Sequence, residues 1–277
     1  MIKISFSIIV FNAIKTLPKN MLKLCIENVL PFAHEIIIAE GATNVTNTAH
    51  HYWDGDTSHF TNDGNSNDGT IQLIKELQLI HDNIKLIHHN GYWNGKTEMC
   101  DAIAKQATGD YLFQIDSDEF YTHEAMNKII NLLETKSPDE VHFFANHFFG
   151  GFDYCVDERS DGQWGNGKNE WRRIFRNIPN KLRCITHEPP KYICDNKIHD
   201  EYKIITKYET LKLGIKLFHY SCVLESQIEF KTKFFRNENY IHYWNDFKTN
   251  KSIKPFGANV WKLNENHPQI IIDNYLI

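Results

Sequence analysis

The sequence predicts an α/β fold, a mainly parallel sheet flanked by helices followed by an α+β portion. Three observations carry that prediction. Short, nearly unbroken apolar runs alternate with amphipathic helical stretches between residues 4 and 149. Those runs are rich in Ile, Val, Leu and Phe, as in strands buried on both faces. After Gly150 the alternation stops, and Gly, Asp and Trp become frequent.

Residues 4–11 read as the first buried strand. Thr16-Leu17-Pro18 is a helix start with proline in the first turn, and Met21, Leu22, Cys25, Ile26 and Val29 follow at helical spacing until Pro31. Residues 35–39 form a second strand, so the opening unit is a right-handed βαβ. The polar stretch 42–69 is long for a loop without structure, and such loops are usually functional. Residues 70–80 have helical periodicity, 84–87 form a strand, and 97–107 form a helix that Gly109 ends. Residues 111–115 form a strand running directly into Asp116-Ser117-Asp118-Glu119; a helix over 124–134 and a strand over 140–149 follow. Beyond Gly150, residues 171–176 and 182–185 read as a hairpin turning at 177–180, 211–220 as a strand, and 225–243 as one long helix.

With 277 residues, 42% apolar and 23% charged, the chain has the size and composition of a folded domain, which excludes general disorder. A formal net charge of −5 gives no electrostatic case for nucleic acid or an anionic membrane as a main partner. The six cysteines form no CxxC pair, against a zinc ribbon or thioredoxin-like motif, and are dispersed as expected in a reducing compartment. The N-terminus has no signal-peptide pattern, and no apolar stretch approaches the roughly 18–20 residues that span a bilayer. A cytoplasmic protein is expected. The Ile, Lys and Asn bias suggests an AT-rich genome, bacterial or viral, the latter acting in the host cytoplasm.

Ligands of open α/β sheets bind at the carboxyl ends of the parallel strands. Asp116 and Asp118 stand there, and alternation along an extended segment turns both the same way. Two converging carboxylates repel unless a cation separates them, and hard oxygen ligands suit Mn²⁺ or Mg²⁺. An isolated DSDE is also common in solvated turns; the apolar strand before it and the helix ending at Gly109 favour function.

The segment from Ala107 to Asp118, ATGDYLFQIDSD, closely resembles the A-x-G-D-Y-hydrophobic-D-x-D core of the family 2 glycosyltransferases. Ser7 to Asn12, Glu35 to Ile38, Asn65 to Thr70 and Gly91 to Asp101 resemble further family elements in the expected order, over about the first 150 residues. The resemblance implies a GT-A (Rossmann-like) fold, a single domain over 1–277, with a nucleotide-sugar-binding half at 1–150 and an acceptor-side half at 151–277. It implies transfer of a sugar from a nucleotide-sugar, a UDP-sugar above all, to an acceptor hydroxyl on a glycan, protein or lipid-linked molecule, with inversion and with Mn²⁺ or Mg²⁺. Four C-terminal pieces, around Gly150, Trp171-Arg176, His187-Pro190 and Phe218-Ser221, resemble the bisecting-type N-acetylglucosaminyltransferases. Two departures stand out. Glu40-Gly41-Ala42-Thr43 replaces the family's DDGS turn, and the Arg-Asn pair of the central helix is missing.

Carried onto this sequence, the family pattern gives the metal to Asp116 and Asp118, with His219 as a late additional ligand and His187 as its alternative. Glu40 ends the second strand and is preferred for the nucleotide base, in competition with Asp63 and Asp68. Lys96 is the nearest cation for the diphosphate. Arg172, Arg173 and Arg176 form a basic cluster in which Arg172 is taken as the phosphate ligand; an exposed strand face is the bland alternative. For the base, Glu188 in the stiff His-Glu-Pro-Pro segment ranks first and Asp153 second, ahead of Asp157, Glu158 and Glu170. Trp93, Trp164 and Trp171 are candidate sugar platforms, although indoles are also core material. The adjacent pairs His50-His51 and His88-His89 are poor chelates. A metal-dependent hydrolase or phosphatase, a non-catalytic carbohydrate-binding protein and a nucleotidyltransferase are the competing classes. The absence of a closely spaced histidine ligand set, the retained aspartates, and the lack of a Gly-rich basic loop argue against each in turn.

Overall fold

The computed structural model of the chain describes residues 2–43, 61, 63–156, 171–187, 190–194, 202–234 and 237–276. In chain order these form β1 (Ile4–Val10), α1 (Ala13–Thr16), α2 (Met21–Val29), β2 (Glu35–Glu40), α3 (Thr70–Ile80), β3 (Ile84–Ile87), α4 (Lys96–Gln106), β4 (Tyr111–Gln114), β5 (Glu119–Phe120) and α5 (His123–Lys136). Next come β6 (Glu140–Phe143), β7 (Ala145–Phe149), β8 (Tyr154–Val156), β9 (Trp171–Arg176), β10 (Leu182–His187), β11 (Pro190–Cys194) and β12 (Ile204–Ile205). The C-terminal part adds α6 (Lys207–Lys212), β13 (Leu217–Cys222), α7 (Glu225–Phe234), α8 (Asn239–Thr249), β14 (Val260–Lys262) and α9 (Gln269–Tyr275).

The main sheet has the order β12-β6-β9-β4-β1-β2-β3. Strands β1 to β4 pair parallel, and β9 is inserted antiparallel between β4 and β6. One face carries the core of Phe6, Ile8, Phe113 and Val141 beneath residues of α2 and α5. The other face is covered by α4 and the β10–β11 hairpin around Cys100, Ile103, Leu112, Phe175 and Tyr192. A second sheet, β14-β8-β7-β13-β5, lies at the carboxyl end of β4. No helix among the described residues is long and apolar enough to cross a membrane.

The segment that resembles the family core also stitches the sheet. Thr108 donates through its N–H (2.7 Å) and hydroxyl (2.9 Å) to Glu35 Oε1, and the Asp110 carboxylate accepts the Lys3 N–H at 2.8 Å. Gly109 is needed for close approach: a Cβ there would lie 2.8 Å from Lys3 O, Ser5 N and Ser5 Oγ. Gly109→Ala is therefore expected to cost about 1–3 kcal/mol by forcing β4 away from β1, read as a lower midpoint in urea denaturation.

Four expectations from residue 140 onward are corrected. The run 140–149 is two strands in different sheets, with the change at Phe144. Residues 171–176 do not pair with 182–187; β9 enters the main sheet and β10 pairs with β11. The run 211–220 opens as the end of α6, which Thr206 and Glu209 start with a capping box, and becomes β13 only from Leu217. That capping signal, Thr206-Lys-Tyr-Glu209, was legible in the sequence. The single long helix is two, α7 and α8.

Candidate active site

Strands β1, β2 and β4 end side by side, and the chain leaving β4 carries the carboxylates. Asp116 and Asp118 are not on an extended segment. The Glu119 N–H donates to Asp116 O (3.0 Å) and the Asp116 N–H to Glu119 Oε2 (3.1 Å), closing a turn that points the two aspartates at different partners. Glu119 then pairs with His219 across β5 and β13, and the Tyr220 N–H donates to Asp118 O at 2.9 Å. His219 Nε2 thereby lies 3.4 Å from Asp118 Oδ1. Asp116 faces Arg173, with Nη2 to Oδ2 at 3.0 Å. Atoms of Asp116, Glu119 and His219 lie within 4.8 Å of one another.

Electrostatics couples these groups. Burial pushes the Asp116 carboxyl up, but Arg173, His187, His219 and Lys96 outweigh it and hold it below the usual range. Burial likewise raises Asp118, and His219 with Lys231 from α7 reverses the shift. For His219, burial works against the imidazolium, while Asp118, Glu119 and Asp116 favour it and prevail. Glu119 is fully buried, and desolvation lifts its carboxyl to about 7 against the pull of Arg173. His147, stacked edge-on to His219 with ring centroids 4.6 Å apart, is held neutral by burial. Cys25 lies against the Asp116 and Glu119 carbonyls; burial and the carboxylates raise its thiol, so it has no thiolate character.

The donor set suits a hard divalent ion. With the three carboxylates ionised and His219 neutral, Arg173 leaves two negative charges, which one dication balances. His219 Nδ1 is buried and has no hydrogen-bond partner among the described residues.

The sequence model of the glycosyl transferase family 2 matches residues 5–188, two thirds of the chain, including the segment from Asp116 to Glu119. The chain belongs to this family. No curated protein sequence matches it. Among solved structures, Staphylococcus aureus TarS 1–349 in complex with UDP-GlcNAc is similar over 53% of this chain and 34% of that one, with 16% identity and a TM-score of 0.36. TarS 1–349 alone aligns over 90% and 75%, at 12% identity and 0.39. The mannosyltransferase PcManGT from Pyrobaculum calidifontis, in complex with GDP-Man and Mn²⁺, aligns over 98% and 67%, at 10% identity and 0.46. The chain thus spans about a third of the first of these, and likeness at these scores carries no argument about substrate.

Within the family 2 frame, the structure brings together Asp116, Asp118 and His219, with Lys96 and His187 close enough to act on Asp116. Glu40 ends β2, buried, and its Oε1 accepts the Ser66 N–H at 2.9 Å and the Ser66 hydroxyl. Asp68 shapes the chain at two helix starts. Its oxygens accept Thr70 N–H (3.0 Å), Thr70 Oγ1 (2.6 Å) and Lys15 N–H (2.8 Å), fixing the starts of α3 and α1. Arg172 is not turned to the carboxylates; a register shift sets it opposite His142 and leaves Arg173 to them. Asp153 is exposed before β8, and its neighbour His267, whose pKa burial lowers, shares a hydrogen bond with Tyr220 Oη on the face of β13 opposite His219. Glu188 lies outside the described residues, as do His50, His51, Asp157, Glu158, Trp164 and Glu170. Sequence reasoning assigned no role to Glu119 and passed over Arg173. The DSDE string contained the first signal; nothing local marks the second.

Proposed function

We propose that the chain transfers a sugar from a nucleotide-sugar, a UDP-sugar first among the candidates, to a hydroxyl of a glycan, protein or lipid-linked acceptor, with inversion. The observation that supports this most is the joining of Asp116 and Asp118, at the end of β4, with His219, from a different sheet. Asp116, Asp118 and His219 would hold Mn²⁺ or Mg²⁺, which when bound neutralises charge on the departing diphosphate. Glu40 receives the nucleotide base at the end of β2, and Lys96 and Lys231 add positive charge on the diphosphate side. Glu188, next to His187, takes the acceptor proton as the acceptor oxygen bonds to the anomeric carbon and the bond to the diphosphate breaks.

Equilibrium binding of UDP, GDP and CMP, each with and without Mn²⁺, tests the reading. One nucleotide should bind in a metal-dependent way, and binding of none under either condition would sink it. A pH dependence follows as well. Burial opposes a charged His219, but its carboxylate neighbours raise its pKa, and the proton must leave before the imidazole can ligate. Mn²⁺ affinity is expected to drop about tenfold per pH unit below that raised value. A Mn²⁺ titration series in acid and neutral buffers checks this; a flat profile in the wild type rules His219 out as a ligand, and His219→Ala should flatten it.

A further inference from the structure

Strand β9 contains one residue more than its neighbour at a critical point. Ile174 pairs with Val141 and Arg172 with His142, so Arg173 is the extra residue of a bulge. Bulges re-aim side chains beside active sites. Here the bulge turns Arg173 into the interior, with its side chain 3% exposed. Arg173 Nε donates to Glu119 Oε2 at 2.9 Å, and Nη2 donates to both Glu119 Oε1 and Asp116 Oδ2, the latter at 3.0 Å. Its guanidinium lies over the Trp171 ring, 4.9 Å from the centroid, and the His219 ring meets the same indole edge-on at 5.0 Å.

We propose that Arg173 is a positioning residue for the divalent-cation site. Its fork engages both oxygens of Glu119 and one of Asp116, and Glu119 Oε2 also accepts the Asp116 N–H, so Glu119 is the poorer ligand. Asp116 is held with Oδ1 left for the ion, and the ligand set reduces to Asp116, Asp118 and His219. Trp171 contacts both the guanidinium and the His219 ring. The inference rests on the cation binding proposed above and adds how the ligands are oriented.

The experiment is Mn²⁺ binding to the nucleotide-free protein, followed by the electron paramagnetic resonance signal of free Mn²⁺ well below the melting temperature. It compares the wild type with Arg173→Lys and Arg173→Met, with melting curves to verify folding. Lysine keeps the charge and loses the fork, and Mn²⁺ affinity is expected to fall about tenfold to a hundredfold, as for other groups that orient metal ligands. Arg173→Met should also bind more weakly, although deleting a positive charge beside a dication would by Coulomb's law alone tighten binding. The role is overturned if Arg173→Lys stays within about threefold of the wild type, or if Arg173→Met binds more tightly. Should Arg173→Met fail to fold, Arg173→Lys decides. Wild type that binds no Mn²⁺ overturns the cation reading and this role together, whereas wild-type binding with unchanged Arg173→Lys overturns this role alone.

Discussion

Asp118→Ala is expected to abolish the Mn²⁺-dependent part of nucleotide stabilisation and leave the fold standing. A ligand at about 100 times its dissociation constant stabilises a protein by about 2.7 kcal/mol, which for a domain of this size raises the melting temperature by about 5–10 °C. In the variant that increment should shrink to what the nucleotide gives without metal. The fold survives because the hydrogen bond that ties this position to β13 is made by the backbone, Tyr220 N–H to Asp118 O, and alanine keeps it. Loss of the carboxylate also removes the main group that favours a charged His219, so the imidazole goes neutral rather than remaining a buried uncompensated cation. A melting increment with nucleotide and Mn²⁺ equal to that of the wild type would show that Asp118 holds no ion.

The largest stability change is expected at Arg173. Glu119 is 0% exposed and Arg173 2%, and the guanidinium contacts both of the carboxylate's oxygens. Arg173→Met leaves that carboxylate buried and unpaired, which costs about 3–5 kcal/mol. In a domain of this size the melting temperature should drop by about 6–20 °C. Adding Glu119→Leu should recover most of the loss, because a well-packed apolar pair does not suffer the desolvation of the ion pair. Urea denaturation of the two variants measures both effects. A single variant within about 1 kcal/mol of the wild type would mean that the pair is solvated enough to be dispensable. The recovered double variant also separates folding from ligation, since it restores the core but not the orientation of Asp116.

Much of the first half was legible because its signals are local. The strands β1 to β4 and the helices α2 to α4 each announce themselves within about a dozen residues through apolar runs or 3.6-residue spacing. The same holds for the motif from Ala107 to Asp118, whose glycine and aspartate turn out to seat β4 against β1. From residue 140 onward the chain was read less well wherever one apolar run serves two elements. Residues 140–149 look continuous in sequence, yet Phe143 and Ala145 belong to different sheets.

By itself the sequence determined the α/β class, the strand end on which the carboxylates stand, and the family, because hydrophobic periodicity and a compact motif are properties of neighbouring residues. Only the tertiary structure decided that β9 slips between β4 and β6, that its bulge turns Arg173 rather than Arg172 to the carboxylates, and that β13 brings His219 to Asp118. Those choices depend on pairing between segments 57 and about a hundred residues apart, and strand register over such separations is set by the burial of whole faces, which no local pattern encodes.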